Sequence, residues 1–157
     1  MNLVKSWRWF GQNDAVPLKW LKENGIEEVV TALHHIPNGL VWSVEEIKKV
    51  KNQIEGEGLR WSVVESLPVT EAIKTASDLR NLHIQNYKQS IRNLGQCGIK
   101  TVVYNFMPVL DWARTNLEYQ LPQGGESMLF DYPTFVAFDV YILKRPKAEK
   151  DYSRELL

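Results

Sequence analysis

An α/β fold with parallel strands alternating with helices is the architecture that this 157-residue sequence predicts, and three observations carry the expectation. A glycine followed by a short β-branched run recurs: Gly25-Ile26 leads to Val29-Val30, Gly58-Leu59 to Val63-Val64, and Gly98-Ile99 to Val102-Val103. The stretches between these runs place apolar residues at helical spacing. The runs themselves are nearly continuous in apolar residues, as in parallel strands buried on both faces. A strand–helix–strand alternation of this kind builds a parallel sheet with right-handed crossovers.

The elements follow in order. A first strand is expected over Ser6–Phe10, then a short helix over Pro17–Asn24 that opens on a proline suited to a first turn. The second strand is Glu28–Leu33. A helix over Val44–Glu55 turns Val44, Ile47, Val50 and Ile54 to one face, with Ser43 and Glu46 in a capping-box pattern and Trp42 and Ile47 at staple positions. The third strand is Leu59–Val64. A longer helix over Leu79–Leu94 aligns Ile84, Tyr87, Ile91 and Leu94, with Asp78 as its N-cap. Each glycine of the repeat closes one of these three helices, because the residue after a helix end commonly takes a positive φ that a Cβ makes costly. The fourth strand is Thr101–Phe106. Met107–Phe130 is too long for an ordinary connection and, with Leu110, Trp112, Leu117, Tyr119 and Leu121, too apolar for disorder, so it reads as an ordered flap. Pro122-Gln123-Gly124-Gly125 can turn a hairpin within it. A last helix follows Asp131 and Pro133, with Phe135, Phe138 and Ile142 inward.

Both a doubly wound sheet and a (β/α)8 barrel begin this way. Four units make half of a barrel, which takes about 250 residues, and such a half has two open edges needing a partner or a continuation. The length suits one domain burying roughly 68–70% of its unfolded surface. Nineteen basic residues balance nineteen acidic ones, 24% of residues are charged and 44% hydrophobic. That balance, with no basic run, points away from nucleic acid and anionic membranes as partners. No apolar stretch approaches a membrane span, and the first residues lack the apolar run of a signal peptide. A single cysteine, Cys97, precludes an intrachain disulfide, and a cytoplasmic location is expected.

Parallel α/β folds bind ligands at the carboxyl ends of their strands, and polar residues gather there. Strand one ends in Gly11-Gln12-Asn13-Asp14, strand two in His34-His35, strand three in Glu65-Ser66 and strand four in Asn105. Neighbouring side chains on a regular strand point to opposite faces, so His34 and His35 cannot share one site while the strand continues. One of the two is expected to be a hydrogen-bonded packing residue. Glu65 has the chemistry of a general base or hard-metal ligand; a cap or salt bridge to the next helix is the plainer role. Asn105 can bond a polyol hydroxyl or cap loop backbone. Arg114 can clamp a carboxylate with its planar fork or be solvated. Arg8 shares a strand face with Phe10 and points either into a barrel interior or to a helix-side salt bridge. Cys97, just before a helix-ending glycine, reads as a small buried hydrophobe. Dinucleotide, phosphate-loop, CxxC and H-E-x-x-H motifs are absent from the sequence.

Several long motifs resemble the mannonate dehydratase family. They are Trp7-Arg8-Trp9-Phe10-Gly11, Val30 through Gly39, Trp42-Ser43-Val44-Glu45-Glu46-Ile47, Trp61 through Ser66, Tyr104 through Trp112, and Leu143-Lys144-Arg145-Pro146. The resemblance runs from about Ser6 to Tyr152 in register. It implies the N-terminal part of a (β/α)8 TIM barrel of the xylose-isomerase-like kind, with the flap at about 107–130 as a long βα loop. It also implies conversion of D-mannonate to 2-keto-3-deoxy-D-gluconate and water in glucuronate catabolism, with a divalent cation, typically Mn2+. The resemblance places the family's metal ligands beyond Leu157, leaving none in this chain, and Cys97 does not match the ligand cysteine. The implied substrate-facing residues are Arg8, Asn13, His34, His35, Glu65, Asn105, Trp112 and Arg114, with His34, His35 and Glu65 as candidates for proton transfer. A small sugar acid is the expected partner, in a homo-oligomer. A related sugar isomerase or epimerase on the same barrel is the enzymatic alternative. A half barrel acting only as an assembly partner is the non-enzymatic one.

Overall fold

A computed structural model describes residues 3–107 and 113–157, and the chain divides into two compact units, Met1–Pro108 and Val109–Leu157. In the first, β1 (Ser6–Arg8), β2 (Glu28–Thr31), β3 (Arg60–Glu65) and β4 (Thr101–Val103) form one sheet. Its spatial order is β1-β2-β3-β4 and every pairing is parallel. A doubly wound sheet reverses its strand order beside the first strand; these four strands march in one direction. β1, β2 and β4 are two or three residues shorter than the apolar runs suggest, because pairing ends where the chain turns out at the carboxyl rim, while β3 keeps its length one residue further on.

Helices α1 (Leu18–Glu23), α2 (Val44–Gly56), α3 (Glu71–Lys74) and α4 (Arg80–Gln96) connect the strands. The glycine repeat is a helix stop used three times. Gly25, Gly58 and Gly98 have φ of 76°, 73° and 81°. Their amides donate to Lys22, Glu55 and Gly95, and the next amides, of Ile26, Leu59 and Ile99, donate to the carbonyls of Leu21, Ile54 and Leu94. This is the doubly bonded Schellman stop, in which the residue after the glycine packs on the helix it has just left. Leu21, Ile54, Leu59, Leu94 and Ile99 are all buried in the core. Each stop thus ends a helix and starts the next strand with an apolar anchor.

The core lies on one side of the sheet. Val29, Thr31, Trp61 and Val64 point into it, joined by Trp9, Leu18, Ile47 and Leu33. Burying each large aliphatic side chain stabilises by about 1.5–3 kcal/mol. Thr31 is tolerated there because its hydroxyl donates to the Trp9 carbonyl at 2.5 Å. Cys97 is buried and its thiol faces the Val44 carbonyl.

Three expectations are corrected. Pro17 is the N-cap of α1 (φ −66°, ψ 147°), not its first helical residue. The capping box of α2 is half made: the Ser43 hydroxyl accepts from the Glu46 amide at 3.2 Å, while the Glu46 carboxylate goes to His35. Asp78 does not cap α4. Leu79 holds that position in a helical conformation, without a side-chain bond. The buried face of α4 is also rotated from the expected one. Leu94 is buried and Tyr87 packs against the core as expected, but Ser90 and Asn93 join them, whereas Ile91 is exposed. The one-turn α3 was not legible.

The second unit opens with an antiparallel hairpin, β5 (Asn116–Gln120) and β6 (Glu126–Leu129). Its turn is the expected one: the Leu121 amide donates to the Gly125 carbonyl and the Gly124 amide to Leu121. Helix α5 (Tyr132–Ala137) is capped by Asp131, whose carboxylate accepts from the Thr134 amide at 2.9 Å and the Thr134 hydroxyl at 2.6 Å. It continues as a π-helical turn over Phe138–Leu143. That widening overturns the expected inward face: Phe135 is buried, but Phe138 and Ile142 are 46% and 71% exposed. Asp139 takes the inward place. Arg145 grips it at 3.1 and 2.8 Å and the Tyr152 hydroxyl donates at 2.5 Å. These bonds, Arg145 first, hold the Asp139 carboxyl below the usual carboxylate range. Among the described residues no helix is long and apolar enough to cross a membrane.

Candidate active site

The face of the sheet away from the core carries the polar residues. Register pairs Arg8 with Val30, Val30 with Val63, and Glu65 with Val103, so these residues line one surface. Arg8 and Glu65 stand on strands that flank β2. Two strand spacings separate them, about 9.5 Å, and only long side chains span that distance. The Arg8 Nη1 donates to Glu65 Oε1 at 2.8 Å. Arg8 therefore points into the open face and pairs with a strand carboxylate, not with a helix. Side-chain exposures of 40% and 30% make the pair worth no more than about 1 kcal/mol of stability. The peptide bond after Glu65 is cis.

From this pair a line of contacts leads along the rim. The Arg8 guanidinium lies 5.0 Å from the Phe10 ring centroid, in cation–π geometry. Phe10 in turn lies 6.0 Å from the His34 ring. His34 is exposed on one side, and its pKa falls below the ordinary 6.5: partial desolvation disfavours the imidazolium, Arg8 repels it, and a hydrogen bond to the Trp9 backbone only partly offsets them. A neutral imidazole beside an arginine–carboxylate pair can accept a proton at neutral pH.

A crevice of about 250 Å³ adjoins this line, lined by Phe10, Gln12, Asn13, His34, His35 and Lys49 among others. Gln12 donates to Gln53 across it at 3.2 Å. His35 Nε2 lies 2.8 Å from Glu46 Oε2, which ties it to the first turn of α2. The two histidines were expected to separate because a regular strand alternates its side chains. Instead β2 ends at Thr31 and both lie on a turn, so both reach the crevice. Asp14 fixes the loop beneath them: its carboxylate accepts from the Phe10 amide at 2.7 Å and the Val16 amide at 2.9 Å. Those bonds lower its pKa.

The site residues read from the sequence thus fall into groups. Arg8, Glu65 and His34 form one chain of contacts, and Asn13 and His35 line the crevice. Asn105, partly buried, lies two residues beyond β4 at the same rim. Arg114 belongs to the second unit, where its guanidinium donates to the Ala113 carbonyl at 2.7 Å. Trp112 lies outside the described residues. Sequence reasoning missed Lys49 and Gln53, which look like solvated positions on an exposed helix face. It also missed Glu46 as a histidine partner. The capping-box pattern signalled that residue, but for another role.

A divalent cation needs several converging donors. Among the described residues no three histidine, cysteine, aspartate or glutamate side chains gather, Glu65 is engaged by Arg8 and His35 by Glu46. These residues alone do not fit a cation.

A parallel α/β domain whose polar and imidazole side chains gather at the carboxyl ends of its strands has them where such folds place their ligand sites. The family model described as D-mannonate dehydratase (UxuA) matches residues 1–150, and the chain belongs to that family. It is 56% identical over 150 residues to a mannonate dehydratase of Marinomonas sp., covering 96% of this chain and 38% of the relative. It is 48% identical over 155 residues to one of Saccharophagus degradans, covering 99% and 39%. The crystal structure of mannonate dehydratase from Streptococcus suis serotype 2 superposes with a TM-score of 0.81 at 38% identity, over 97% of this chain and 44% of that one. The chain therefore spans well under half the length of the relatives it matches.

Proposed function

We propose that this chain supplies the substrate-facing wall of a mannonate dehydratase, a hydro-lyase that converts D-mannonate to 2-keto-3-deoxy-D-gluconate and water. In that reading the four parallel strands are the first half of a (β/α)8 barrel, and residues 107–130 belong to one of its long βα loops. The single-direction strand order supports a barrel, and the uncovered face that holds Arg8 and Glu65 becomes its interior. The Mn2+ belongs to other parts of the whole protein. The reaction removes a weakly acidic proton next to a carboxylate and expels a β-hydroxyl. Arg8 suits the sugar-acid carboxylate, since its planar fork has five donors and Glu65 engages it through Nη1. His34, held neutral, is the proton acceptor, and Glu65 orients Arg8. Asn13, Asn105 and His35 contact hydroxyls. The whole protein works as a homo-oligomer in the cytoplasm.

The observation that carries this reading is the family match over residues 1–150. The test is a chimera in which these residues replace the matching segment of the Marinomonas enzyme. It is expected to dehydrate D-mannonate with added Mn2+, and Arg8→Ala in it to lower kcat/KM about a hundredfold. A folded chimera without activity refutes the proposal.

A further inference from the structure

We infer that His83 and Thr70 form a positioning pair that sets the rim's two histidines relative to Glu65; the inference rests on the function proposed above. Helix α4 carries His83, Asn86, Ser90 and Asn93 at spacings of three, four and three, which put them on one face. Each makes a hydrogen bond to a rim loop. The Asn86 amide donates to the Gly39 carbonyl at 2.8 Å. The Trp42 amide donates to the Ser90 hydroxyl at 3.0 Å, and the Asn93 amide to the Trp42 carbonyl at 2.7 Å. Gly39 and Trp42 belong to the loop that leads from His34-His35 into α2, whose Glu46 holds His35. His83 reaches the other loop: its Nδ1 shares a 2.8 Å hydrogen bond with the hydroxyl of Thr70, five residues beyond Glu65.

His83 also presses on the first loop. A Cβ at Gly39 would lie 2.8 Å from its Cε1 and 2.9 Å from its Nε2. The imidazole is therefore wedged between the backbone after the histidine pair and the hydroxyl after Glu65. It touches no part of the proposed reaction line, and its place in the fold is to fix the distance between the two halves of that line. A misplacement of about 1 Å is enough to slow catalysis a hundredfold.

In the active chimera, His83→Ala is expected to lower kcat about tenfold while KM stays within about threefold, since the groups that bind remain. His83→Asn, whose side-chain amide can replace Nδ1 opposite Thr70, restores kcat to within about threefold. Thr70→Val keeps the shape and loses the hydroxyl; it matches His83→Ala, and the double variant loses no more than either single one. A kcat for His83→Ala within about twofold of the parent overturns the inference, as does an H83N enzyme as slow as H83A. A readout independent of turnover separates it from the functional proposal. In the 157-residue chain itself, the ring resonances of His34 and His35 shift in H83A and T70V but not in H83N. Unchanged resonances in H83A and T70V also overturn it.

Discussion

A histidine that is partly desolvated and repelled by a nearby guanidinium binds its proton weakly. For His34 the consequence can be signed. Its pKa lies below 6.5 in the fold, so the unfolded chain binds the proton more tightly. Stability contributed by this group therefore rises with pH through the window below 6.5 and is flat above it. Its NMR titration midpoint is expected below 6.5, and Arg8→Met moves the midpoint part of the way back, since burial remains. A midpoint unmoved by Arg8→Met removes Arg8 from the causes. Asp14 carries the same sign in a more acidic window. Its lowered carboxyl contributes stability that is present above 3.8 and lost as pH falls through the lowered value. Asp14→Ala frees two backbone amides and costs about 1–2 kcal/mol by denaturant unfolding. At this scale the sequence was legible in part. It placed His34, Glu65 and Asp14 at the strand ends and left Arg8 between a barrel interior and a helix-side salt bridge. It could not show that Arg8 reaches Glu65 across β2, because 57 residues separate them in the chain and no local pattern encodes a pairing over an intervening strand.

Elements were most legible where their signal is local. The three Schellman stops need only a glycine and two apolar neighbours, and the Ser43 cap needs one hydroxyl, so both could be read directly. The inward face of α4 could not, because Ser90 and Asn93 look like surface residues until their backbone partner in the loop before α2 is known. The π turn after α5 was hidden for a similar reason: Asp139 is drawn inward by Arg145 and Tyr152, both later in the chain. The corrected faces predict a contrast. Ser90→Ala leaves the buried Trp42 amide without an acceptor and costs about 1–3 kcal/mol. Ile142→Ser, at an exposed position, stays within about 0.5 kcal/mol. Equal effects in thermal unfolding would reverse the assignment.

For the molecule as a whole, the monotonic strand order departs from that of a doubly wound sheet. Among the described residues β1 and β4 each pair on one side only, and Ile91, Tyr104 and Phe106 present apolar surface beside β4. The chain by itself is expected to self-associate in sedimentation, through unpaired edges and exposed aromatic surface; a stable monomer contradicts that. It is also expected to bind Mn2+ weakly and not to turn over D-mannonate, because its described residues gather no donor set. Tight stoichiometric Mn2+ binding in calorimetry shows that expectation to be wrong.

The bonds from α4 to the rim also set a timetable. Trp42 and Asn93 are 51 positions apart, so the loop that carries the histidine pair cannot lock when it leaves the ribosome. At about 5–20 residues per second, roughly 3–10 s pass before its anchors are synthesised. Throughout that interval the nascent chain carries a polar rim whose first wall is built and whose keystone has yet to be translated.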